Sequence, residues 1–321
     1  MLRWFLYPNF VTMYDNIDLS VYKEHCSDIN FIDAIPQYLI KVVSEGTSEF
    51  GEYITGYLDT AKIKISENRV KFYDSSICKY YLGDNFKTLS KGDTKRAIEK
   101  LSDTLHLPFH LANVTRIDFA QNLIMQYAEK TYYPYLGEAQ YYNRLEQNNG
   151  LYYNNQKRQL LFYGKEYEQK VKKQSVPELY ENQNVLRFEM RFKKQLRKQF
   201  NRPEIIASLL YDETFYFNLV KMWRNEYLEI QKINSKLIGM KATGSKKEFI
   251  ENLALFSVLE LGQSKVLHKV KEWQEQGLIS KKQAYDLRVA TKQLSRIKVD
   301  GKGNELITEL DKKIKEVSYN W

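Results

Sequence analysis

Three stretches, far apart in the chain, set charged and phenolic groups at every second position. VTRIDFA (114–120) carries Arg116 and Asp118, QLLFYGK (159–165) carries Tyr163 and Lys165, and VLRFEMRF (185–192) carries Arg187, Glu189 and Arg191. Strand side chains point alternately to opposite faces. Each stretch read as a strand therefore has a polar face, backed by Ile117 and Phe119, by Leu160 and Phe162, or by Phe188 and Met190. If the three strands are neighbours, Asp118 and Glu189 can hold a hard divalent cation, Mg²⁺ or Mn²⁺, and such an ion polarises a phosphoryl oxygen. A tyrosine beside it can attack phosphorus and form a covalent phosphotyrosine. The phenol has a pKa of about 10, so Tyr163 needs the metal or a cation such as Lys165 to ionise. Arg116, Arg187 and Arg191 would clamp phosphate oxygens. The same alternation also suits ordinary cross-strand ion pairs on a solvated sheet face, each worth under about 1 kcal/mol.

The elements that must position these groups are legible around them. TAKIKIS (60–66) and RVKFYD (69–74) alternate as paired strands about a Ser-Glu-Asn turn. KGDTKRAIEKLSDTLH (91–106) has helical spacing through Ala97, Ile98, Leu101 and Leu105. Strands separated by single helices predict an α+β fold, an antiparallel sheet covered by helices on one side, over residues 1–202. From 203 to 321 the pattern becomes helical, and an all-α module is expected. Pro203 is read as opening a helix. Ser245 with Glu248, and Ser280 with Gln283, read as helix N-caps, and Gly277 as a helix end.

The 321 residues are ample for a sizeable core. The net charge of +9, with a pI of about 9.1, favours a polyanion partner. With two cysteines, Cys26 and Cys78, the sequence argues against a disulfide framework and fits a cytoplasmic setting in a bacterial host. The first residues lack a small-residue cleavage site, and no long uncharged apolar run predicts a membrane span.

VTRIDFA, RQLLFYGKEYE and VLRFEMRFKKQLRKQF, in this order and at these intervals, resemble the gene II and X replication initiators of filamentous phages and related plasmids. SSICKYYLGDNF (75–86) resembles that family's segment with a Gly-x-Asn turn, and the likeness spans roughly residues 60–205, extending loosely to KVKEWQEQGL (269–278). The resemblance implies a rolling-circle nicking enzyme, with Tyr163 as nucleophile, Lys165 as its companion, Asp118 and Glu189 as metal-binding acids, and Arg116, Arg187 and Arg191 beside them. Gly83-Asp84-Asn85 stands where the family commonly has Gly-His-Asn, so no histidine acts there. The His-hydrophobic-His metal motif of other rolling-circle enzymes is absent, and His106 and His110 in HLPFH are read as loop residues. Tyr152, Tyr153 and Tyr167 compete with Tyr163, and a one-residue register shift would exchange the faces.

The run from Arg187 to Arg202 adds Lys193, Lys194, Arg197 and Lys198, a density suited to phosphate contact. The expected partner is origin DNA, single-stranded or supercoiled, with host helicase and polymerase as further partners and no membrane. The expected activity is a metal-dependent, site-specific nick through phosphotyrosine that leaves a 3′-hydroxyl primer and permits rejoining. Two rivals remain: a non-catalytic origin-binding or regulatory protein, and a metal-dependent nuclease that uses water.

Overall fold

The computed structural model describes residues 12–49, 51–233, 245–294 and 302–319. In chain order the strands are β1 (Tyr14–Tyr22), β2 (Lys41–Ser48), β3 (Gly51–Leu58), β4 (Ala61–Ser66), β5 (Arg69–Phe72), β6 (Asn113–Met125), β7 (Leu136–Ala139), β8 (Asn143–Gln147), β9 (Gly150–Asn154), β10 (Arg158–Gly164), β11 (Asn184–Phe192) and β12 (Ile230–Lys232). The helices are α1 (Phe31–Ala34), α2 (Ile77–Leu82), α3 (Lys91–Leu105), α4 (Lys165–Val171), α5 (Leu196–Phe200), α6 (Glu213–Glu229), α7 (Lys246–Leu261), α8 (Gln263–Glu275), α9 (Lys281–Leu294) and α10 (Lys302–Tyr319). The fold is α+β, as expected. Ten strands form one sheet in the order β2-β3-β4-β5-β1-β6-β11-β10-β9-β8, and the paired neighbours run antiparallel. The short strands β12 and β7 pair separately.

The central strands β1, β6, β11 and β10 have one apolar face. Tyr14, Phe119, Phe188 and Phe162 lie on it, and α6 covers it with Tyr216, Trp223 and Tyr227. Phe162 and Phe188 stack with centroids 4.4 Å apart, and Trp223 lies 4.8 Å from Phe188 while its Nε1 donates to the Phe188 carbonyl at 3.3 Å. Each such ring, fully buried, stabilises the fold by roughly 1.5–3 kcal/mol. Helix α6 starts where it does because the Asp212 carboxylate accepts the Phe215 backbone N–H at 2.8 Å. Ser90 and Asp93 form a reciprocal cap that opens α3.

The chain divides into two compact units, one of residues 1–131, 138–230 and 313–321, the other of 132–137 and 231–312. The unit holding the sheet runs through α6 to Ile230, past the boundary expected at 202. The reason is the aromatic face of α6: it has no other surface to bury against. Pro203 does not open a helix. It lies in a bend, because α5 ends at Asn201 in a left-handed conformation (φ 50°) and the chain continues to Ile206, which bridges Asn113. The second unit contains α7, α8 and α9. Ser245 caps α7 and Ser280 caps α9 as expected, and Gly277 takes φ 72° after α8. Among the described residues no helix is long and apolar enough to cross a membrane.

Candidate active site

Register fixes the site. Across β11 and β10, Arg187 pairs with Tyr163, Glu189 with Leu161 and Arg191 with Gln159; across β11 and β6, Arg187 pairs with Asn122, Glu189 with Ala120 and Arg191 with Asp118. Directly opposed residues share a face, so Tyr163, Glu189 and Asp118 all project from the face opposite the aromatic core. β11 lies between the other two strands and carries the central acid.

The contacts are direct. The Tyr163 hydroxyl donates to Glu189 Oε2 at 3.0 Å, and Arg191 Nε donates to Glu189 Oε1 at 2.5 Å. Arg116 grips Asp118 through both oxygens, at 2.8 and 2.6 Å, and Arg191 lies 3.7 Å from the same carboxylate. Asp118 and Glu189 are buried, and Arg191 is partly exposed. Burial, with the charge of Glu189 added, raises the Asp118 pKa in spite of its arginine fork. Against the same burial cost, Arg191 and then Arg187 hold Glu189 below its usual range. Burial and the Glu189 charge raise Tyr163 well above an ordinary phenol, and Arg187 opposes them. In this state the proton stays on the phenol.

Arg187 is fully buried. Its guanidinium lies 2.9 Å from Asp15, and it donates to Asn122 Oδ1 at 2.9 Å and to the Phe86 carbonyl at 3.2 Å. That leaves no exposed edge for a phosphate, so the clamp expected of Arg187 falls to Arg116 and Arg191. Lys165 also departs from expectation. It is the first residue of α4, no longer on the strand face; it is buried and its Nζ bonds Glu168 at 2.6 Å. Burial, then Arg187, lowers its pKa. The strand stops at Gly164 because a Cβ there would meet the Glu129 carboxylate at 2.8 Å. Lys193, Lys194, Arg197 and Lys198 are exposed, at the end of β11 and on α5.

The rival tyrosines separate by face. Tyr153 is buried on the aromatic side, its ring 6.3 Å from Phe162. Tyr152 and Tyr167 line the same cleft as Tyr163, a cavity of about 270 Å³ that Arg191 and Lys172 also border. Several site residues carried no flag in the sequence. β1 was not recognised, although Ile17, Leu19 and Val21 alternate with Asp18 and Ser20. A bulge between Tyr14 and Asn16 turns Asp15 toward Arg187, and such a bulge has no sequence signature here.

The donor set suits a hard cation in chemical type. Glu189 raises its neighbour's pKa, which marks two carboxylates whose repulsion a cation would relieve. Asn16, opposite Asp118 across β1 and β6, has a buried Oδ1 with no hydrogen-bond partner. Every oxygen of the two carboxylates is already engaged by arginine or tyrosine, however, and among the described residues no group of three His, Cys, Asp or Glu is placed to hold a metal. A cation would have to exchange with the arginines.

A ten-stranded antiparallel sheet with an arginine-flanked Tyr–Glu pair on its polar face coincides with one family model, that of the N-terminal part of the phage gene II replication-associated protein, over residues 37–226. That match takes in β6, β10 and β11 and more than half of the chain, and the chain belongs to this family. It is thus a replication protein of the filamentous-phage gene II type, a rolling-circle initiator of a kind that binds origin DNA. No curated protein matches the chain.

Proposed function

We propose that the chain nicks one strand of its origin through Tyr163, with Glu189 as the base. The observation that carries this reading is the 3.0 Å hydrogen bond from the Tyr163 hydroxyl to Glu189, placed in a cleft beside partly exposed Arg191. A phosphodiester entering the cleft draws Arg191 from Glu189 onto its own oxygens. Relieved of that guanidinium, Glu189 becomes the stronger base and takes the phenol proton. The phenolate oxygen bonds to phosphorus as the bond to the 3′ oxygen breaks, and that oxygen picks up a proton from solvent. Buried Arg187, held by Asp15, stabilises the phenolate charge. The 5′ phosphate stays on Tyr163, and the free 3′ hydroxyl primes a host polymerase. Because the phosphotyrosine keeps the energy of the broken linkage, reversal rejoins ends without ATP.

Asp118 and Glu189, with Asn16 Oδ1, would hold the Mg²⁺ or Mn²⁺, which when bound supplies polarisation of a phosphoryl oxygen. Lys165 acts at a distance, balancing Glu168 at the start of α4. Arg116, Lys193, Lys194, Arg197 and Lys198 track the backbone. The setting is the cytoplasm of a bacterial host, where helicase would extend the nick.

The test mixes the full chain with supercoiled DNA carrying its origin, plus Mg²⁺, and resolves products on a denaturing gel. Wild type gives a covalent protein–DNA band. Tyr163→Phe removes it and cuts nicking by more than about a thousandfold, while Tyr152→Phe and Tyr167→Phe keep it. A band that persists at the wild-type rate in Tyr163→Phe rejects the assignment. Nicking with no covalent band favours the water-using nuclease.

The occupied carboxylate oxygens favour one other reading, a non-catalytic origin binder in which the arginine pairs are only structural. Thermal shift decides between them. Mn²⁺ stabilisation that vanishes in Asp118→Ala supports the enzyme, and no shift in wild type supports the binder.

A further inference from the structure

The largest cleft of the sheet-bearing unit is not the one at Tyr163. It holds about 500 Å³ and lies at the far end of β10, on the face that α6 covers. Its walls come from the turn between β9 and β10 (Asn155, Lys157), from α5 (Lys198, Gln199), from α6 (Glu226, Glu229) and from the segment at Tyr141. Arg158 begins β10, and five residues at about 3.3 Å each set it roughly 17 Å along the strand from Tyr163.

The floor of this cleft is already organised. Arg158 donates to Gln199 Oε1 and to Glu226 Oε1, and its guanidinium lies 5.4 Å from the Phe192 ring centre. The Tyr142 hydroxyl donates to Glu226 Oε2 at 2.8 Å. Arg158 and Tyr142 therefore satisfy Glu226, and the acid does not repel an anion as a bare carboxylate would. The rim differs in kind. Lys157 and Lys198 are exposed ammonium groups, and Tyr141 leaves 83% of its surface to solvent with its backbone at φ 68°. An aromatic plate between two cations, over a floor of fixed amide, guanidinium and carboxylate groups, matches the parts of a nucleotide. The ring stacks a base, the ammoniums take the phosphate, and the floor meets the base edge.

We propose that this cleft is a second nucleotide site, which seats one unstacked nucleotide of the DNA strand away from the nick, with its base on Tyr141 and its phosphate between Lys157 and Lys198. Lys198 lies on α5 together with Arg197, just after Lys193 and Lys194, so a strand leaving the polar face over this basic edge arrives at the cleft. The inference rests on DNA as the partner of this family and does not depend on Tyr163 chemistry.

The test uses the full chain and a fluorescent, mixed-sequence single strand of roughly 12 nucleotides, read by anisotropy, with 5-iodouracil crosslinking to map contacts. Tyr141→Ala weakens binding about tenfold, a loss typical of one stacked base. Lys157→Ala with Lys198→Ala lowers the salt slope by about 2, and the strand crosslinks to Tyr141. All three residues are exposed, so the melting temperature stays unchanged. Affinities within twofold of wild type in both variants, or crosslinks confined to the Tyr163 face, overturn the site. Free deoxynucleoside monophosphate that displaces the strand at equal affinity also overturns it, since the ligand is then a small molecule. A covalent band in wild type beside normal binding in Tyr141→Ala sinks this inference alone. Weakened binding in Tyr141→Ala with no covalent band in wild type sinks the nicking assignment alone.

Discussion

The two faces of β6, β11 and β10 are made from the same residues in alternation, yet they are built on opposite principles. On one face Phe119, Phe188 and Phe162 meet Tyr216, Trp223 and Tyr227 of α6, and each contact is apolar or edge-to-face. On the other, Asp118, Glu189 and Arg187 are equally buried but charged. Burying ions is costly even when they are paired, whereas burying rings is the main favourable term in folding. The aromatic face thus supplies stability that the charged face consumes. A charged face of this sort is worth keeping only if its polarity is used.

Substitutions can break this contrast, and the largest effect is expected on the aromatic side. Phe188→Ala should lower unfolding free energy by about 3–5 kcal/mol, measured by urea denaturation, and the covalent band should survive at temperatures where the variant is folded. A loss below about 1 kcal/mol would mean that the aromatic face is not the stabilising one. Next comes Asp15→Asn, which leaves Arg187 buried without its carboxylate. A loss of about 3 kcal/mol is expected, larger than at an exposed ion pair such as Lys95 with Glu99. The reverse order would show that Arg187 is solvated in practice.

At the exposed end of β11, Lys193→Ala with Lys194→Ala should leave stability unchanged and reduce the salt dependence of DNA binding by about 2 in slope. The smallest effect concerns Asp93 in the α3 cap. Burial would raise its carboxyl, but the Ser90 and Arg96 hydrogen bonds win and the pKa is lowered. A depressed folded pKa stabilises above the unfolded value of about 3.9 and stops doing so as pH falls through the folded one. Asp93→Asn should therefore cost about 1 kcal/mol at pH 6, and the difference from wild type should shrink toward pH 3. A cost that grows on acidification would contradict the sign.

The same contrast explains what the sequence disclosed. Period-two patterns with large rings on one side are strong signals, and β4, β5, β6, β10, β11 and α3 were all legible. The polar face was legible as residues in phase, because antiparallel pairing of three in-phase strands leaves few registers that keep the rings together. Partners supplied by distant elements were not. Asp15 reaches Arg187 only through a bulge, and Lys165 leaves the face only because the strand stops at Gly164, where Glu129 crowds the backbone. The end of the sheet unit was misjudged for a related reason. Helical periodicity in α6 tells that one side is apolar, but nothing local tells which sheet it belongs to.

β11 is the last of the three site strands to be synthesised, yet it lies between the other two. A ribosome therefore releases the tyrosine and the first acid long before the segment that joins them. Until Asn184–Phe192 slots between its neighbours, Tyr163 has no Glu189 to receive its proton, and the nascent protein carries a nucleophile that cannot cut. The order of manufacture is itself a safety catch: products shortened before residue 184 have the phenol but no means to fire it.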